Sequence, residues 1–495
     1  MKVIPREEAA QTGDLEHTLA RLGAALDDYL RFEQPDPLRS RDSWEAVLDR
    51  PVPEHGVGLE AVERELIEVV IPNGSAIPKP GFTGFITTGG TTASTLATTA
   101  ANVASPQRYT LTAFNFLEEL SLRWLAQMLG LDGFQGVYSS GGSTANLLAL
   151  GAARQWAFEQ VGHDPGAAGV DRPTAVFATA EAHHTVQRAA GVLGLGRRAV
   201  RIVATDSAGR MDVGDLRRLI RVEKGAGVLP VAIVATAGTT NTGAIDPLRD
   251  VLAVAREERV WLHVDGAYGL PGILDDRKAP LYDGHAEADS VIVDPHKWLG
   301  ASVGVAATFV RDRSLLERAF TQTPADYLEG NVEPGGQEAS IEHSMDHFGI
   351  PYFDYSVELS APARGVVVWA MLREIGVEGI RDRVRRHNDM AQHIADVARR
   401  HPNLELLLEP TLSICCFRYV DQGVTDLDEL NRRLYRRLVR ENRNLPSTTR
   451  VNGVLALRPC FIGARTGFEQ AESLVEDVLR LGAQLVTEAT GQAAR

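Results

Sequence analysis

Five short stretches carry side chains suited to chemistry, and each comes directly after an apolar run. Ser140-Gly141-Gly142-Ser143-Thr144 stands between FQGVYS and the helical run ANLLALGAARQWAF. His183 and His184 follow a strand-like run, Gly238-Thr239-Thr240 ends IVATA, Asp265 ends WLHVD, and Lys297 sits in DPHKW, 32 residues on (297 − 265). A Gly-Gly-Ser turn that opens a helix offers free backbone N–H groups and a hydroxyl to an anion, and the helix dipole adds to the attraction. A carboxylate at the end of an apolar strand is costly unless it meets a cation. The small residues after it, Gly266 and Ala267, leave room for something flat. A lysine where the buried-looking run Ser290-Val291-Ile292-Val293 stops is either solvated or chemically employed.

Other chemistries compete for the same residues. Gly141-Gly142-Ser143-Thr144-Ala145 approximates a strand–turn–helix nucleophile elbow, and Asp265 and His296 follow in the chain order of an α/β-hydrolase triad. That reading gives no role to Lys297 or to Gly238-Thr239-Thr240. The paired histidines are not joined by enough nearby ligands for a metal site, so none is expected. Gly194-Leu195-Gly196-Arg197-Arg198-Ala199 fits a dinucleotide fingerprint, but a helix precedes it and a strand follows, the reverse of what that motif requires.

The elements that must position these residues are legible as an alternation of short apolar runs and helical segments. Strands are expected at 136–139, 174–179, 199–203, 231–236, 260–264, 290–293 and 303–310. Most are continuously apolar, as in a largely parallel sheet buried on both faces. In such a sheet ligand groups gather at the carboxyl ends of the strands, where all five stretches lie. The expected architecture is α/β, with a helical N-terminal segment (1–78), a large domain (79–370) and a smaller C-terminal α/β domain (371–495). In the last, LSICCFRYV and VLALRPCFI are the clearest strands. Amphipathic helices such as 15–32 fill the N-terminal segment, and PGFTGFITTGGTTAST reads as a loop at the domain entry.

A length of 495 residues with 44% hydrophobic content suffices for two or three packed domains. Net charge is 51 − 65 = −14, which argues against a nucleic-acid partner. The one basic cluster, LNRRLYRRLVRENR, places Leu430, Leu434 and Leu438 on one helix face and its arginines on the other, the pattern of a solvated face. Cys415, Cys416 and Cys460 are too few for a disulfide framework. No signal-like or membrane-spanning run is visible, so a soluble cytoplasmic protein is expected.

One ligand would employ all the parts. Pyridoxal 5′-phosphate (PLP) bonds through its aldehyde to a lysine, keeps its pyridine nitrogen protonated over an aspartate, and seats its phosphate at a helix N-terminus. The ordered stretches SSGGSTANLLAL, EAHHTVQRA, VATAGTT, LHVDGAYG and DPHKW resemble those of the group II PLP-dependent amino-acid decarboxylases, which include the aromatic-L-amino-acid and glutamate decarboxylases. The likeness runs from about residue 80 to the C-terminal stretch VLALRPCFIGARTGFEQAESLVEDVL.

That resemblance implies fold type I, the aspartate-aminotransferase-like scaffold, and decarboxylation of an aromatic or bulky apolar L-amino acid. It implies that Lys297 carries the Schiff base, that Asp265 pairs with the pyridinium nitrogen, and that Ala267 and His183 lie on the two faces of the ring. Gly142 and Ser143 would hold the phosphate, with His296 near it; Thr240 would touch the cofactor and Thr88 the substrate. Tyr327, in TPADYLEGNVEPGG, would return a proton to the substrate Cα. A homodimer with the active site at its interface is implied too, the N-terminal segment serving as an exchanged arm.

Two departures stand out against the family pattern. Asp294 occupies a position where the family usually has Asn, and LSAPARGVVVW keeps Arg364 but has Ala361 and Pro362 in place of an arginine pair. Other reactions on the same scaffold, including oxidative deamination to an aldehyde, lyase chemistry and transamination, remain open at this level, as does the hydrolase using Ser143.

Overall fold

The computed structural model describes residues 15–32, 41–108, 112–321 and 349–493. In chain order its strands are β1 (Phe82–Thr83), β2 (Gln135–Ser139), β3 (Thr174–Thr179), β4 (Val200–Val203), β5 (Leu229–Thr236), β6 (Trp261–Asp265), β7 (Ser290–Val293), β8 (Ala306–Val310), β9 (Leu404–Leu408), β10 (Cys416–Tyr419), β11 (Leu445–Val451) and β12 (Val454–Arg458).

Seven of them form one sheet in the order β2-β8-β7-β6-β5-β3-β4. Neighbouring strands from β4 to β7 pair in parallel, and β8 runs antiparallel to both of its neighbours, β7 and β2. All seven expected strands are therefore present, with ends shifted by up to three residues. The central strands are buried throughout: Val231 to Ala235 of β5 and Val291 to Val293 of β7 have no exposed surface. That is why their sequence shows no polar alternation. Because β2 is antiparallel to β8, it points the same way as β3, β5, β6 and β7. The carboxyl ends of all five open on one edge of the sheet.

The helix Gly142–Glu159 follows β2 and packs its apolar length, including Leu148, Ala149 and Ala152, against the sheet. The segment Gly194 to Ala199 lies after the helix Thr185–Val192 and before β4, so it cannot form a dinucleotide turn.

A second sheet, in the order β1-β11-β12-β10-β9, belongs mainly to the C-terminal part. It packs on the helices Leu427–Glu441 and Phe468–Ala493 around a core of Phe417, Leu434, Leu457, Leu474 and Val478. Leu430, Leu434 and Leu438 are buried as their spacing predicts, and arginines on the other face pair with acids, as Arg437 does with Glu488 at 2.7 Å. The helix Gly365–Arg400 links the two parts and breaks at Gly376, whose φ of 65° suits glycine. The loop-like stretch near residue 80 supplies β1, which pairs Phe82 and Thr83 in parallel with Leu445 and Pro446. Cys415, Cys416 and Cys460 are free and buried.

Candidate active site

Eight residues singled out from the sequence, Gly142, Ser143, His183, Thr240, Asp265, Ala267, His296 and Lys297, line a single cavity of 360 Å³ at the carboxyl edge of the larger sheet. Each arrives at a strand's last residue, on the turn after a strand, or in the first turn of the helix that follows. Thr88 does not line this cavity. It is buried, with its hydroxyl directed at the carbonyl of Gly89 (3.3 Å). Tyr327 lies outside the described residues.

Asp265 is only 6% exposed, and both of its oxygens are held. Oδ1 accepts from the backbone N–H of Ala267 (3.1 Å) and Oδ2 from the Asn146 amide (3.0 Å). Asn146 also donates to Thr185 Oγ1 (3.1 Å), and its own Oδ1 meets His263 Nε2 (2.9 Å). The far side of His263 meets Ser290 Oγ (2.9 Å), which accepts from the Trp261 indole (2.8 Å). Full burial pushes His263 down to about 4, so its imidazole is neutral. A consistent set of donors then runs in one direction. Trp261 donates to Ser290, Ser290 to His263 Nδ1, His263 Nε2–H to Asn146 Oδ1, and Asn146 to Asp265. Such a chain fixes the carboxylate in position.

The Asn146 branch continues to the other side of the cavity. Thr185 Oγ1 lies 2.9 Å from His183 Nδ1. Its oxygen accepts the hydrogen bond from Asn146, so the hydroxyl is free to donate its own hydrogen to Nδ1, which leaves Nε2 as the protonated nitrogen of a neutral His183. Burial lowers the pKa of His183, against the pull of Asp265. Asn146, Thr185, His263 and Ser290 were not singled out from the sequence. The available signal was His263, two residues before Asp265 and therefore on the same face of its strand.

At the opposite wall the helix Gly142–Glu159 starts at Gly142 without a side-chain cap. Its first turn thus keeps N–H groups for a ligand. His296 Nδ1 donates to the Val305 carbonyl (2.5 Å), and burial lowers its pKa. Lys297 Nζ pairs with Asp294 at 2.9 Å. The next residue, Trp298, anchors this turn. It is fully buried, stacks on Tyr268 at 5.3 Å and donates to His387 Nδ1 (3.1 Å). Burying a side chain of that size contributes roughly 3 kcal/mol. The C-terminal sheet supports the turn that carries Thr240 through Arg458 of β12. Buried to 3% exposure, it donates to the carbonyls of Thr240, Asn241 (3.1 Å) and Phe85 (2.7 Å).

The hydrolase alternative does not survive this geometry. Ser143 sits inside a regular helix, not on a strained turn. His296 spends Nδ1 on Val305, while both Asp265 oxygens are engaged elsewhere, so no Ser–His–Asp relay exists. No cluster of three or more metal-ligating side chains occurs among the described residues, and no described helix is long and apolar enough to cross a membrane.

The same geometry suits PLP. The cavity is lined by a buried, fixed carboxylate, an uncapped helix start and an amine. A Cβ added at Gly142 would sit 2.7 Å from Asp294 Oδ2, so only glycine leaves this wall open. One element fits less simply: Asp294 is 1% exposed and its Oδ1 has no hydrogen-bond partner among the described residues.

Comparison with known proteins points the same way. Residues 43–420 match the family model described as the pyridoxal-dependent decarboxylase conserved domain. The chain is 29% identical over 373 residues to an aromatic-L-amino-acid decarboxylase of Bacillus atrophaeus, covering 74% of this chain and 73% of that protein. It is 30% identical over 322 residues to human cysteine sulfinic acid decarboxylase, covering 64% and 62%. Against a solved structure of Oryza sativa TDC with PLP and tryptamine, the TM-score is 0.86 at 25% identity, covering 96% of this chain and 99% of that one. With its strand-end lysine and aspartate facing one cavity of the expected chemistry, and a family match over three quarters of its length, this chain belongs to the pyridoxal-dependent decarboxylases.

Proposed function

We propose that this enzyme removes the carboxyl group of an aromatic or bulky apolar L-amino acid, releasing the amine and CO2. The observation that carries the reaction is the convergence of Lys297 and the doubly fixed Asp265 on one cavity. When bound, the cofactor supplies an aldehyde for the substrate amine and a ring that accepts the electron pair of the broken bond.

The chain's own residues do the rest. Asp265 keeps a proton on the ring nitrogen, because its carboxylate cannot turn away from donors on both oxygens. Lys297 would bond to the aldehyde when no substrate is present. Ala267 would line one face of the ring and His183 the other. Gly142 and Ser143 would hold the phosphate at the helix start.

The substrate class is supported by the lining of the cavity. Tyr268 and Val303 add apolar surface to it, and among the described residues no arginine and no lysine other than Lys297 lines it to hold an acidic side chain. The likeness to the Bacillus atrophaeus aromatic decarboxylase favours the same class.

The test is a panel of L-amino acids assayed for CO2 release and product mass, with Lys297→Ala alongside. The expected result is amine from aromatic substrates, and loss of both turnover and borohydride-fixed cofactor in the variant. A preference for glutamate or cysteine sulfinate would overturn the substrate class, and an active Lys297→Ala protein would overturn the site.

A further inference from the structure

Asp294 is the one group in the cavity whose charge conflicts with the rest of the site. It is 1% exposed, its Oδ1 has no hydrogen-bond partner among the described residues, and its Oδ2 pairs with Lys297 at 2.9 Å. Its backbone N–H is spent on the Ala267 carbonyl (3.1 Å), so the residue is fixed in place. The carboxylate lies against the first residue of the helix Gly142–Glu159. The Cβ position of Gly142 is 2.7 Å from Oδ2 and 3.2 Å from Oδ1. An anion drawn to the N–H groups of that first turn therefore comes to rest beside a buried carboxylate.

The charged and titratable groups facing Asp294 are few. From its own turn come Lys297 and His296, the latter with Nε2 at 3.8 Å. His183 faces it electrostatically from the loop after β3, with Asp265 lining the same cavity. The helix Gly142–Glu159 contributes Gly142, Ser143 and Asn146 to this wall, none of them charged. His296 and His183 are neutral, their pKa values lowered by burial. Among the described residues Lys297 is thus the only cation that compensates Asp294, and Lys297 is the residue proposed above to bond to the cofactor aldehyde. Loading the site withdraws that amine and brings a phosphate to the helix start. Both changes disfavour a bare carboxylate.

We propose that Asp294 is a phosphate-binding residue that acts as a hydrogen-bond donor: loading of the cofactor is accompanied by uptake of one proton from solvent onto the Asp294 carboxyl, whose O–H then bonds to the phosphate. This inference rests on the site assignment of the preceding section. Its consequence is that cofactor affinity falls with rising pH. One coupled proton makes the apparent dissociation constant about tenfold weaker per pH unit where the free groups are ionised.

The experiment is titration calorimetry of the cofactor-free protein at pH 8 in buffers of different ionisation heat, which counts protons taken up. PLP and pyridoxal are the two probes, since pyridoxal keeps the aldehyde and lacks the phosphate. The wild-type protein is expected to take up about one proton more with PLP than with pyridoxal. Asp294→Asn, which keeps the shape and supplies an N–H donor, is expected to lose that excess and to bind PLP about tenfold more tightly than wild type at pH 9, relative to their ratio at pH 8. Equal uptake of the two probes by the wild-type protein would overturn the proposal without any variant. An excess that persists in Asp294→Asn would place the proton elsewhere and overturn it too. Borohydride fixation followed by peptide mapping separates the levels: label on a residue other than Lys297 removes the site assignment and this inference together, whereas label on Lys297 with unchanged proton counts removes only the inference.

Discussion

His263 never touches the cavity, yet it is the residue whose replacement reports most directly on how Asp265 is held. It bridges Ser290 and Asn146 as a fully buried neutral imidazole. Burial depresses its pKa from 6.5 to about 4, so the unfolded chain binds a proton that the folded chain refuses. The stability this bridge contributes is complete above pH 6.5 and is lost as pH falls toward 4, because unfolding is then accompanied by proton uptake.

The difference of 6.5 − 4 = 2.5 pH units corresponds to about 3 kcal/mol in total, of which about 2 kcal/mol is already lost at pH 5. His263→Leu removes this linkage but strands Asn146 Oδ1 and the Ser290 hydroxyl, each costing about 1–2 kcal/mol. At pH 7.5 the variant is therefore expected to be less stable by about 2–4 kcal/mol. At pH 5 the gap is expected to shrink by about 2 kcal/mol, since only the wild-type protein has lost the histidine contribution. Urea unfolding of the cofactor-free protein, followed by fluorescence at both pH values, measures the two gaps. A gap of the same size at pH 7.5 and pH 5 would refute the proton-free bridge, and no gap at pH 7.5 would refute the network itself.

Two further outcomes are expected. Tyr327→Phe should divert part of the product from amine to aldehyde, read by mass spectrometry under oxygen; amine formed at the wild-type rate would show that another group protonates Cα. The helix Leu15–Tyr29 has no buried residue, and Leu15, Leu48, Val52, Leu59, Val62 and Leu66 are left exposed, the surface a second copy would cover. Light scattering is expected to give twice the 53.7 kDa chain mass, and a monomer at micromolar concentration would count against the homodimer that the family resemblance implies.

Much of this site could be read in the sequence because its parts sit at strand ends. VAIVA and SVIV announce buried strands by their lack of alternation, and the residues just past them are those the sheet gathers on one edge. Lys297 and Asp265 were legible for that reason. Asn146 was not. Within ANLLALGAAR it reads as one polar residue on an apolar helix, and its partners His263 and Asp265 lie 117 and 119 residues away. Only folding brings them together. Arg458 was illegible for a related cause, since it reaches Thr240 from the smaller sheet. The strands β9 and β11 escaped notice because LELLL and LPSTTRV are half-exposed and lack a clean apolar run. The short β1 escaped because two residues have no periodicity.

That two-residue strand constrains how the molecule can be assembled or cut. Phe82 and Leu445 are neighbours in one sheet although 363 positions apart (445 − 82), so the smaller sheet cannot be completed until nearly the whole chain has been made. Closing so long a loop is slow, and the early segment must wait with an unpaired edge. A fragment beginning after residue 370 would lack this edge strand, and an N-terminal fragment would leave Arg458 absent from the carbonyls it bridges. The two halves are thus stitched at both ends, and splitting this enzyme for separate expression should yield pieces that depend on each other for solubility.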